Sequence, residues 1–304
     1  MSQAHVVVVG SINMDLVAVV DHIPAPGESV LGTQFIRAHG GKAGNAAAAL
    51  GRLRIHTTIV GCIGDDEFGR DSRAGLESAG VDTSKLLVHE TASTGVALIF
   101  VDGAGENVVG SVSGANFELT PDLLERQFDA ITTEVSALMI NLEVPMPTVE
   151  RAIALAHQRG WTVVMNPAPA RALNDELLAM VDVITPNAVE VDAIHPQGLA
   201  GVLAAGCGAI VITRGAHGVE IHRSGADPVE LPAFAVDVVD TTGAGDAFSA
   251  ALTGSLAQGE SLEEAAQIAA AVGALTVEVA GARNPQLSAE AVNRLRGRGS
   301  GSSS

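Results

Sequence analysis

The order of hydrophobic and polar positions predicts strands and turns in the first part of the chain and alternating strands and helices in the second. Residues 5–9 (His-Val-Val-Val-Val) form a continuous apolar run that ends at Gly10, which is typical of a strand buried on both faces of a parallel sheet. The other elements predicted before residue 120 are strands and turns at 16–37, an alanine-rich helix ending near Gly51, a strand at 57–61, a helix at 65–79, and a hairpin of 96–101 with 107–110.

From residue 121 onward, the pattern repeats as strand, loop and helix. Helices are predicted at 121–128, 147–159 and 198–205, and strands at 137–142, 162–166, 181–185 and 209–213. This repetition implies a parallel sheet with right-handed crossovers. Polar residues that follow these strands are therefore expected to meet at one edge of the sheet; they are Glu143, Asn187, Thr213 and Asp246.

Residues 239–248 (Val-Asp-Thr-Thr-Gly-Ala-Gly-Asp-Ala-Phe) place a glycine-rich turn between two predicted elements. The β-rich run 234–239 predicts a strand before the turn. Phe248, Leu252 and Leu256 recur at helical spacing and predict an amphipathic helix after it. Because the first amides of a helix lack partners and the helix dipole favours negative charge, this turn is a candidate anion site.

Asp246 lies at this anion site, where its charge would repel a bound phosphate. A base that takes a proton from a hydroxyl attacking a phosphoryl group requires this placement. A helix cap is an equally good interpretation of the local sequence, since aspartate often caps helices.

Composition limits the classes of partner and compartment. The 304 residues, 47% of them apolar, suffice for one large α/β domain or two smaller ones. A net charge of −18 and 3% aromatic residues disfavour nucleic acids and anionic membranes, which require basic patches or aromatic platforms. No run approaches the ~20 apolar residues that span a bilayer. Cys62 and Cys207 form no CxxC motif, which predicts reduced thiols in a cytoplasmic protein.

Polar groups near the start of the chain suit a sugar. Asn13 and Asp15 follow the first strand, where α/β sheets bind ligands, although a local Asx-turn is the alternative. Gly41, Lys42 and Asn45 offer close backbone approach and hydrogen-bond donors. They do not form a Walker loop, because Ala43 follows the lysine. With no HExxH or GxSxG motif present, phosphoryl transfer to an alcohol is the chemistry that fits.

These segments make the chain resemble the ribokinase-like (PfkB) carbohydrate kinase family over about residues 5–296. Two signatures carry the resemblance: Gly40-Gly41-Lys42 through Asn45, and Asp240-Thr-Thr-Gly-Ala-Gly-Asp246. Shorter matches occur at 10–15, 93–100, 105–108, 166–171 and 185–187.

The resemblance implies roles for individual residues. Asp246 is implied as the base toward the sugar's primary hydroxyl, and the backbone at Gly243, Ala244 and Gly245 as the hole for the phosphoryl group. The residues implied to hold the sugar are Asn13, Asp15, Gly41, Lys42, Asn45, Glu143 and Asp246. Those implied to contact the nucleotide are Asn187, Thr213, Arg214, Gly215, Gly218 and Gly245. Glu190 is implied to act on Mg²⁺ indirectly, and the residues implied to hold a monovalent cation, K⁺, are Asp240, Thr242 and Gly281.

The resemblance also implies an α/β fold, a three-layer α/β/α sandwich with a mostly parallel central sheet and a small β-sheet lid from about 12–40 and 94–112. Residues 1–296 are expected to form one kinase domain and 297–304 a flexible tail or cloning remnant. The expected function is ATP-dependent phosphorylation of D-ribose at its 5-hydroxyl, with ATP and Mg²⁺, by a homodimer that pairs through the lid.

Two other functions remain open. The first is a kinase for another sugar or for a nucleoside, although a nucleoside base needs an aromatic or apolar slot and the chain has few aromatic residues. The second is a non-catalytic sugar-binding protein on the same fold, which would have no need of Asp246.

Overall fold

A computed structural model describes residues 4–299, which fold around a central nine-stranded sheet. The thirteen strands of the described part are β1 (His5–Val9), β2 (Asn13–Val20), β3 (Gly32–Gly40), β4 (His56–Gly64), β5 (Leu86–His89), β6 (Gly95–Val101), β7 (Asn107–Val112), β8 (Ala137–Ile140), β9 (Thr162–Met165), β10 (Val183–Ile184), β11 (Ala209–Thr213), β12 (Val219–His222) and β13 (Val229–Leu231). The central sheet has the order β13-β12-β11-β10-β9-β8-β1-β4-β5.

The central sheet is parallel except at one edge. Strand β1 pairs in parallel with β4, where Val6 is opposite Thr57, and with β8, where Val6 is opposite Ala137. Strands β12 and β13 add antiparallel pairs beyond β11. The prediction of a mostly parallel sheet is therefore confirmed, while β12 and β13 were missed.

Helices cover both faces of this sheet. They are α1 (Lys42–Arg52), α2 (Glu67–Ser78), α3 (Pro121–Asp129), α4 (Met146–Gln158), α5 (Asp175–Leu178), α6 (Val191–Ile194), α7 (Gly198–Ala204), α8 (Ala244–Ala257), α9 (Leu262–Thr276) and α10 (Ala289–Gly299). Val6 and Val8 of β1 pack in the core shared with α1, α8 and α9, whereas Val7 and Val9 pack in the core shared with α3 and α4. This alternation explains why β1 is apolar at successive positions and confirms the three-layer sandwich.

A second, four-stranded sheet has the order β3-β2-β6-β7. Strand β2 is antiparallel to β3 and parallel to β6, and β7 returns antiparallel to β6. Its strands lie within the two segments, 12–40 and 94–112, predicted as a lid. Strand β2 begins at Asn13 and β3 ends at Gly40, directly opposite. One end of this sheet therefore lies at the residues predicted to bind the sugar.

Three sequence-based predictions need correction or comment. The run 234–239 forms no strand; β13 ends at Leu231, Pro232 follows without an amide donor, and the segment lines a cavity instead. Helix α8 is not amphipathic, because every residue from Asp246 to Ser255 is buried between α1, α9 and the sheet. Helix α10 reaches Gly299, three residues into the predicted tail, and the rest of that tail, 300–304, lies outside the described residues.

Among the helices within residues 4–299, none combines the length and the apolar character needed to cross a membrane.

Candidate active site

Asp246 lies in the first turn of α8 and is 6% exposed. Asn45 of α1 donates a hydrogen bond from Nδ2 to Asp246 Oδ2 (2.9 Å), and Asn166, which follows β9, donates from Nδ2 to Oδ1 (3.3 Å). Burial raises the pKa of Asp246, while the Lys42 charge and the Asn45 hydrogen bond act in the opposite direction. The carboxylate is thus held by two donors in a site where its charged form is costly, which is the environment of a general base.

The glycine-rich turn before Asp246 presents backbone amides at the start of α8. Gly243 is the N-cap residue in the left-handed conformation (φ 76°), and Ala247 donates the first hydrogen bond of this turn back to the Gly243 carbonyl (2.9 Å). Ala244 donates a longer bond to Thr241 (3.3 Å). Within residues 4–299, no backbone carbonyl accepts from the amides of Gly245 and Asp246. The geometry therefore supports an anion site centred on Gly245.

Glu143 and Asn13 are both fixed by neighbours at the carboxyl end of β1. The Ser11 hydroxyl donates to Glu143 Oε2 and accepts from the Lys42 amide (3.0 Å). Asn13 Oδ1 accepts from Asn116 Nδ2 (2.8 Å). These bonds join four segments of the chain that are distant in sequence: 11–13, 42, 116 and 143.

Charged groups of opposite sign share this place. Burial lowers the pKa of Lys42, but the charges of Asp246, Glu143 and Glu190 outweigh it, and the net pKa is raised, so that the lysine stays protonated. Burial raises the pKa of Asp15 to about 6, and the charges of Glu143 and Asp246 add to this effect.

Gly40 makes room for Asp15. A Cβ atom added at Gly40 would lie 2.1 Å from Asp15 Oδ1, so that only glycine allows the carboxylate its position. Gly41 follows immediately and precedes α1, which carries Lys42 and Asn45. Of the residues predicted to hold a sugar, four interact with the Asp246 carboxylate by a hydrogen bond or by charge, and they come from β2, α1 and the loop after β8: Asp15, Lys42, Asn45 and Glu143.

A cavity of about 530 Å³ opens on the other side of the glycine-rich turn. Four residues predicted to contact the nucleotide line it: Thr213, Gly215, Gly218 and Gly245. The apolar part of its lining comes from Phe234, Val236 and Val238, from Phe248 of α8, and from Ala270, Ala274 and Val277 at the end of α9. A cavity with an apolar lining that also reaches the orphan amides at the start of α8 is suited to a nucleotide base and its phosphates.

Two residues predicted to contact the nucleotide do not line this cavity. The Arg214 guanidinium forms ion pairs with Glu220 (2.9 Å) and Glu230 (3.1 Å). Asn187 Oδ1 accepts from the backbone amides of Val189 and Glu190 (both 2.9 Å), while the backbone amide of Asn187 donates to Glu190 Oε2 (2.9 Å). Asn187 and Glu190 therefore form a reciprocal turn, and the Glu190 charge acts on Lys42 and Asp246.

The three residues predicted to hold a monovalent cation lie together. Asp240 Oδ1 accepts from the amide (2.9 Å) and hydroxyl (2.7 Å) of Thr242, and Asp240 Oδ2 accepts from the Gly281 amide (2.8 Å). These bonds lower the pKa of Asp240 against the effect of burial, which raises it. The Asp240 carboxylate and the Thr242 hydroxyl are hard oxygen donors, the type of ligand that such a cation takes.

Sequence reasoning missed Asn166 and Arg283 as members of the site. Asn166 follows a predicted strand, the same signal that selected Glu143, and could have been found by it. Arg283 lies in the loop after α9 and reaches Asn45 across 238 positions, a contact for which the sequence carries no local signal. The cavity wall at 233–238 was missed because its alternating apolar residues predict a strand.

A buried carboxylate beside a helix N-terminus, with polar groups suited to a polyol and a cavity large enough for a nucleotide nearby, is the arrangement expected of a kinase that acts on a small alcohol. The sequence matches the model of the pfkB family of carbohydrate kinases over residues 3–289. The chain belongs to this family and is an ATP-dependent sugar kinase.

Similar proteins agree with this assignment. The ribokinase of Haemophilus influenzae is 35% identical over 287 residues, which cover 91% of this chain and 93% of that protein. The solved structure of a ribokinase from Thermotoga maritima superposes with a TM-score of 0.87 at 28% identity and covers 97% of this chain and 99% of that one. The structure of Arabidopsis thaliana ribokinase complexed with ribose and ATP gives a TM-score of 0.84 at 26% identity, with the same coverage.

Proposed function

We propose that this protein transfers the γ-phosphoryl group of ATP to the 5-hydroxyl of D-ribose. The observation that carries the proposal is the position of Asp246. Its buried carboxylate is hydrogen-bonded to Asn45, one of the residues predicted to hold the sugar. It also lies in the first turn of α8, whose residues Ala244 and Gly245 line the cavity of about 530 Å³. The ribokinases similar to this chain, one of them complexed with ribose and ATP, support ribose as the substrate.

In this mechanism the sugar lies among Asn13, Asp15, Asn45 and Glu143, and its primary hydroxyl faces Asp246. Asp246 takes the proton as the hydroxyl oxygen attacks the γ-phosphorus, the bond between that phosphorus and the β,γ-bridging oxygen breaks, and ADP leaves. The amides at Gly245 and the start of α8 receive the charge of the transferring group. Lys42, kept protonated by the surrounding carboxylates, adds a positive charge on the sugar side.

Two cations complete the proposal. Mg²⁺ would be bound through the ATP phosphates near Glu190 and would neutralise charge between them, which is the usual mode of magnesium at phosphates. A monovalent cation, K⁺, would be held by Asp240, Thr242 and the backbone near Gly281 and would add positive charge behind the anion site.

The proposal extends to assembly and compartment. The small sheet leaves Phe35 68%, Leu98 48% and Val108 51% exposed, and an apolar surface of this kind is suited to a second copy of the chain. We therefore propose a cytoplasmic homodimer that pairs through this sheet and binds neither nucleic acid nor membrane. Light scattering should then give twice the mass of the chain.

The test of the substrate is ADP release from a panel of ribose, deoxyribose, fructose and nucleosides, with and without K⁺. Ribose should give the highest kcat/KM, with the phosphate found on the 5-oxygen by ³¹P NMR. Turnover confined to a nucleoside or another sugar would overturn the substrate but keep the mechanism. Sugar binding without any turnover would favour the non-catalytic alternative.

A further inference from the structure

Arg283 is a partly buried cation that the proposed mechanism does not use. It lies in the loop after α9, two residues beyond Gly281, and reaches across to the sugar side of the site. Its Nε donates to Asn45 Oδ1 (3.1 Å), and its Nη2 donates to the carbonyl oxygen of Gly40 (3.1 Å). Both acceptors belong to the segment that carries Lys42 and Asn45, so that one guanidinium holds two points of the sugar-binding loop.

The contact with Asn45 sets the direction of its amide. Asn45 stands between a guanidinium, which only donates, and the Asp246 carboxylate, which only accepts when ionised. A single orientation satisfies both neighbours: the oxygen faces Arg283 and the nitrogen faces Asp246. Arg283 therefore acts on the base through Asn45.

The charge of Arg283 also acts on the sugar-side carboxylates. Burial lowers the pKa of Arg283 to about 10, while the charges of Asp15 and Asp246 work to raise it, and the group remains protonated at neutral pH. In return the guanidinium lowers the pKa of Asp15 against the effect of burial. Since Asp15 has a pKa of about 6 with Arg283 present, loss of this charge would raise it further and leave less of the carboxylate ionised near neutral pH.

We propose that Arg283 is a positioning residue for sugar binding, which orients Asn45 and the Gly40 carbonyl for the substrate and keeps Asp15 ionised to accept hydrogen bonds from sugar hydroxyls. This inference rests on the proposed function, in which Asp15 and Asn45 contact the sugar and Asp246 is the base. The three carboxylates near this place (Asp15, Glu143, Asp246) outnumber the two cations (Lys42, Arg283), which disfavours an anionic ligand and agrees with the neutral sugar of the proposed function.

The test compares Arg283→Gln and Arg283→Lys with the unaltered enzyme in steady-state kinetics between pH 5 and 9. Charge-assisted hydrogen bonds of this kind correspond to roughly ten- to a hundredfold in binding, so Arg283→Gln should raise KM for ribose by about that factor. KM for ATP should change by less than about twofold, because both hydrogen bonds of the guanidinium within residues 4–299 go to Gly40 and Asn45, which belong to the segment predicted to contact the sugar.

The pH profile separates positioning from a general structural role. Because the guanidinium lowers the pKa of Asp15, the acidic limb of kcat/KM for ribose should move to higher pH in Arg283→Gln. Arg283→Lys keeps a positive charge and should restore the limb while it only partly restores KM. Thermal melts of all variants show whether each one is folded.

Arg52→Gln is the matched control. Arg52 and Arg283 both line a cavity of about 210 Å³ behind the sugar site, but only Arg283 is hydrogen-bonded to the sugar-binding loop. Arg52→Gln should therefore leave KM and the pH profile unchanged. The inference would be overturned if Arg283→Gln left KM for ribose and the acidic limb of the pH profile unchanged, or if Arg52→Gln changed them equally. In that case, ribose turnover by the unaltered enzyme would still support the proposed function. Failure of the unaltered enzyme to phosphorylate any sugar would refute both.

Discussion

Three glycines around the anion-binding turn should respond differently to alanine, because their backbones and surroundings differ. Gly243 has φ 76°, and an added Cβ would lie 2.4 Å from the Ala282 carbonyl oxygen and 2.7 Å from its Cα. Gly281 has φ 84°, but an added Cβ would meet nothing within 4 Å. Gly245 is in the first turn of α8, has no such φ, and also meets nothing within 4 Å.

The free energies of unfolding follow from these differences. Gly281→Ala carries the left-handed backbone penalty alone, about 1–2 kcal/mol. Gly243→Ala carries the same penalty plus the displacement of a packed backbone, which adds about 1–3 kcal/mol and gives a loss of roughly 2–5 kcal/mol. Gly245→Ala should be neutral or stabilising by up to about 1 kcal/mol, since alanine is the better helix former.

Urea unfolding followed by circular dichroism measures these differences, with kcat and KM recorded for each variant. Gly243→Ala should also raise KM for ribose, because it displaces Ala282 and therefore the neighbouring Arg283. The reasoning is refuted if Gly243→Ala is no less stable than Gly281→Ala, since the contact with Ala282 would then exert no force.

Two further predictions concern groups away from the site. His5 is 1% exposed between Thr58 and Thr133 and stacks on His56, and burial together with the His56 charge lowers its pKa to about 4. In the unfolded chain this histidine is protonated at a higher pH than in the folded protein, so the free energy of unfolding should fall by about 1–3 kcal/mol as pH drops from about 6.5 to 4. The urea midpoint of His5→Gln should fall less over the same pH range. An equal fall in the variant and the unaltered protein would contradict the assignment. Burial raises the pKa of the Cys62 thiol to about 11 and of the Cys207 thiol to about 12. Neither thiol should therefore react with a thiol reagent at pH 8 in the folded protein, and both should react after unfolding. Rapid labelling of the folded protein would contradict this prediction.

The strongest sequence signals were local. The run of valines at 6–9 predicted a strand buried on both faces because successive side chains enter two different cores. The turn before Asp246 predicted an anion site because the chemistry of a helix N-terminus is contained in a few neighbouring residues. The rule that polar residues after parallel strands meet at one edge of the sheet applies to Glu143, which follows β8 and whose charge acts on Asp246. It does not apply to Asp246, because the strand predicted before the glycine-rich turn does not form.

The predictions that failed depend on packing between distant segments. Leu252 and Phe248 suit an amphipathic helix, but α9 and α1 cover the other faces of α8 with small alanine side chains, which a periodicity argument does not detect. The apolar residues at 234–239 suit a strand, yet among residues 4–299 no strand pairs with the outer edge of β13, and the segment lines the cavity of about 530 Å³ instead. Arg283 enters the site only because the loop after α9 returns to α1.

The central claim is that Asp246 takes the proton from the sugar hydroxyl, and its most direct test is Asp246→Asn. The change keeps the size of the side chain and removes a buried charge whose pKa burial raises, so the variant should fold and should bind ribose and ATP within a few-fold of the unaltered enzyme. Ribose-dependent kcat should fall by about 10²–10⁴-fold, the usual contribution of a general base. A kcat within about tenfold of the unaltered enzyme, with both ligands still bound in calorimetry, would contradict the account and return Asp246 to the role of a helix cap.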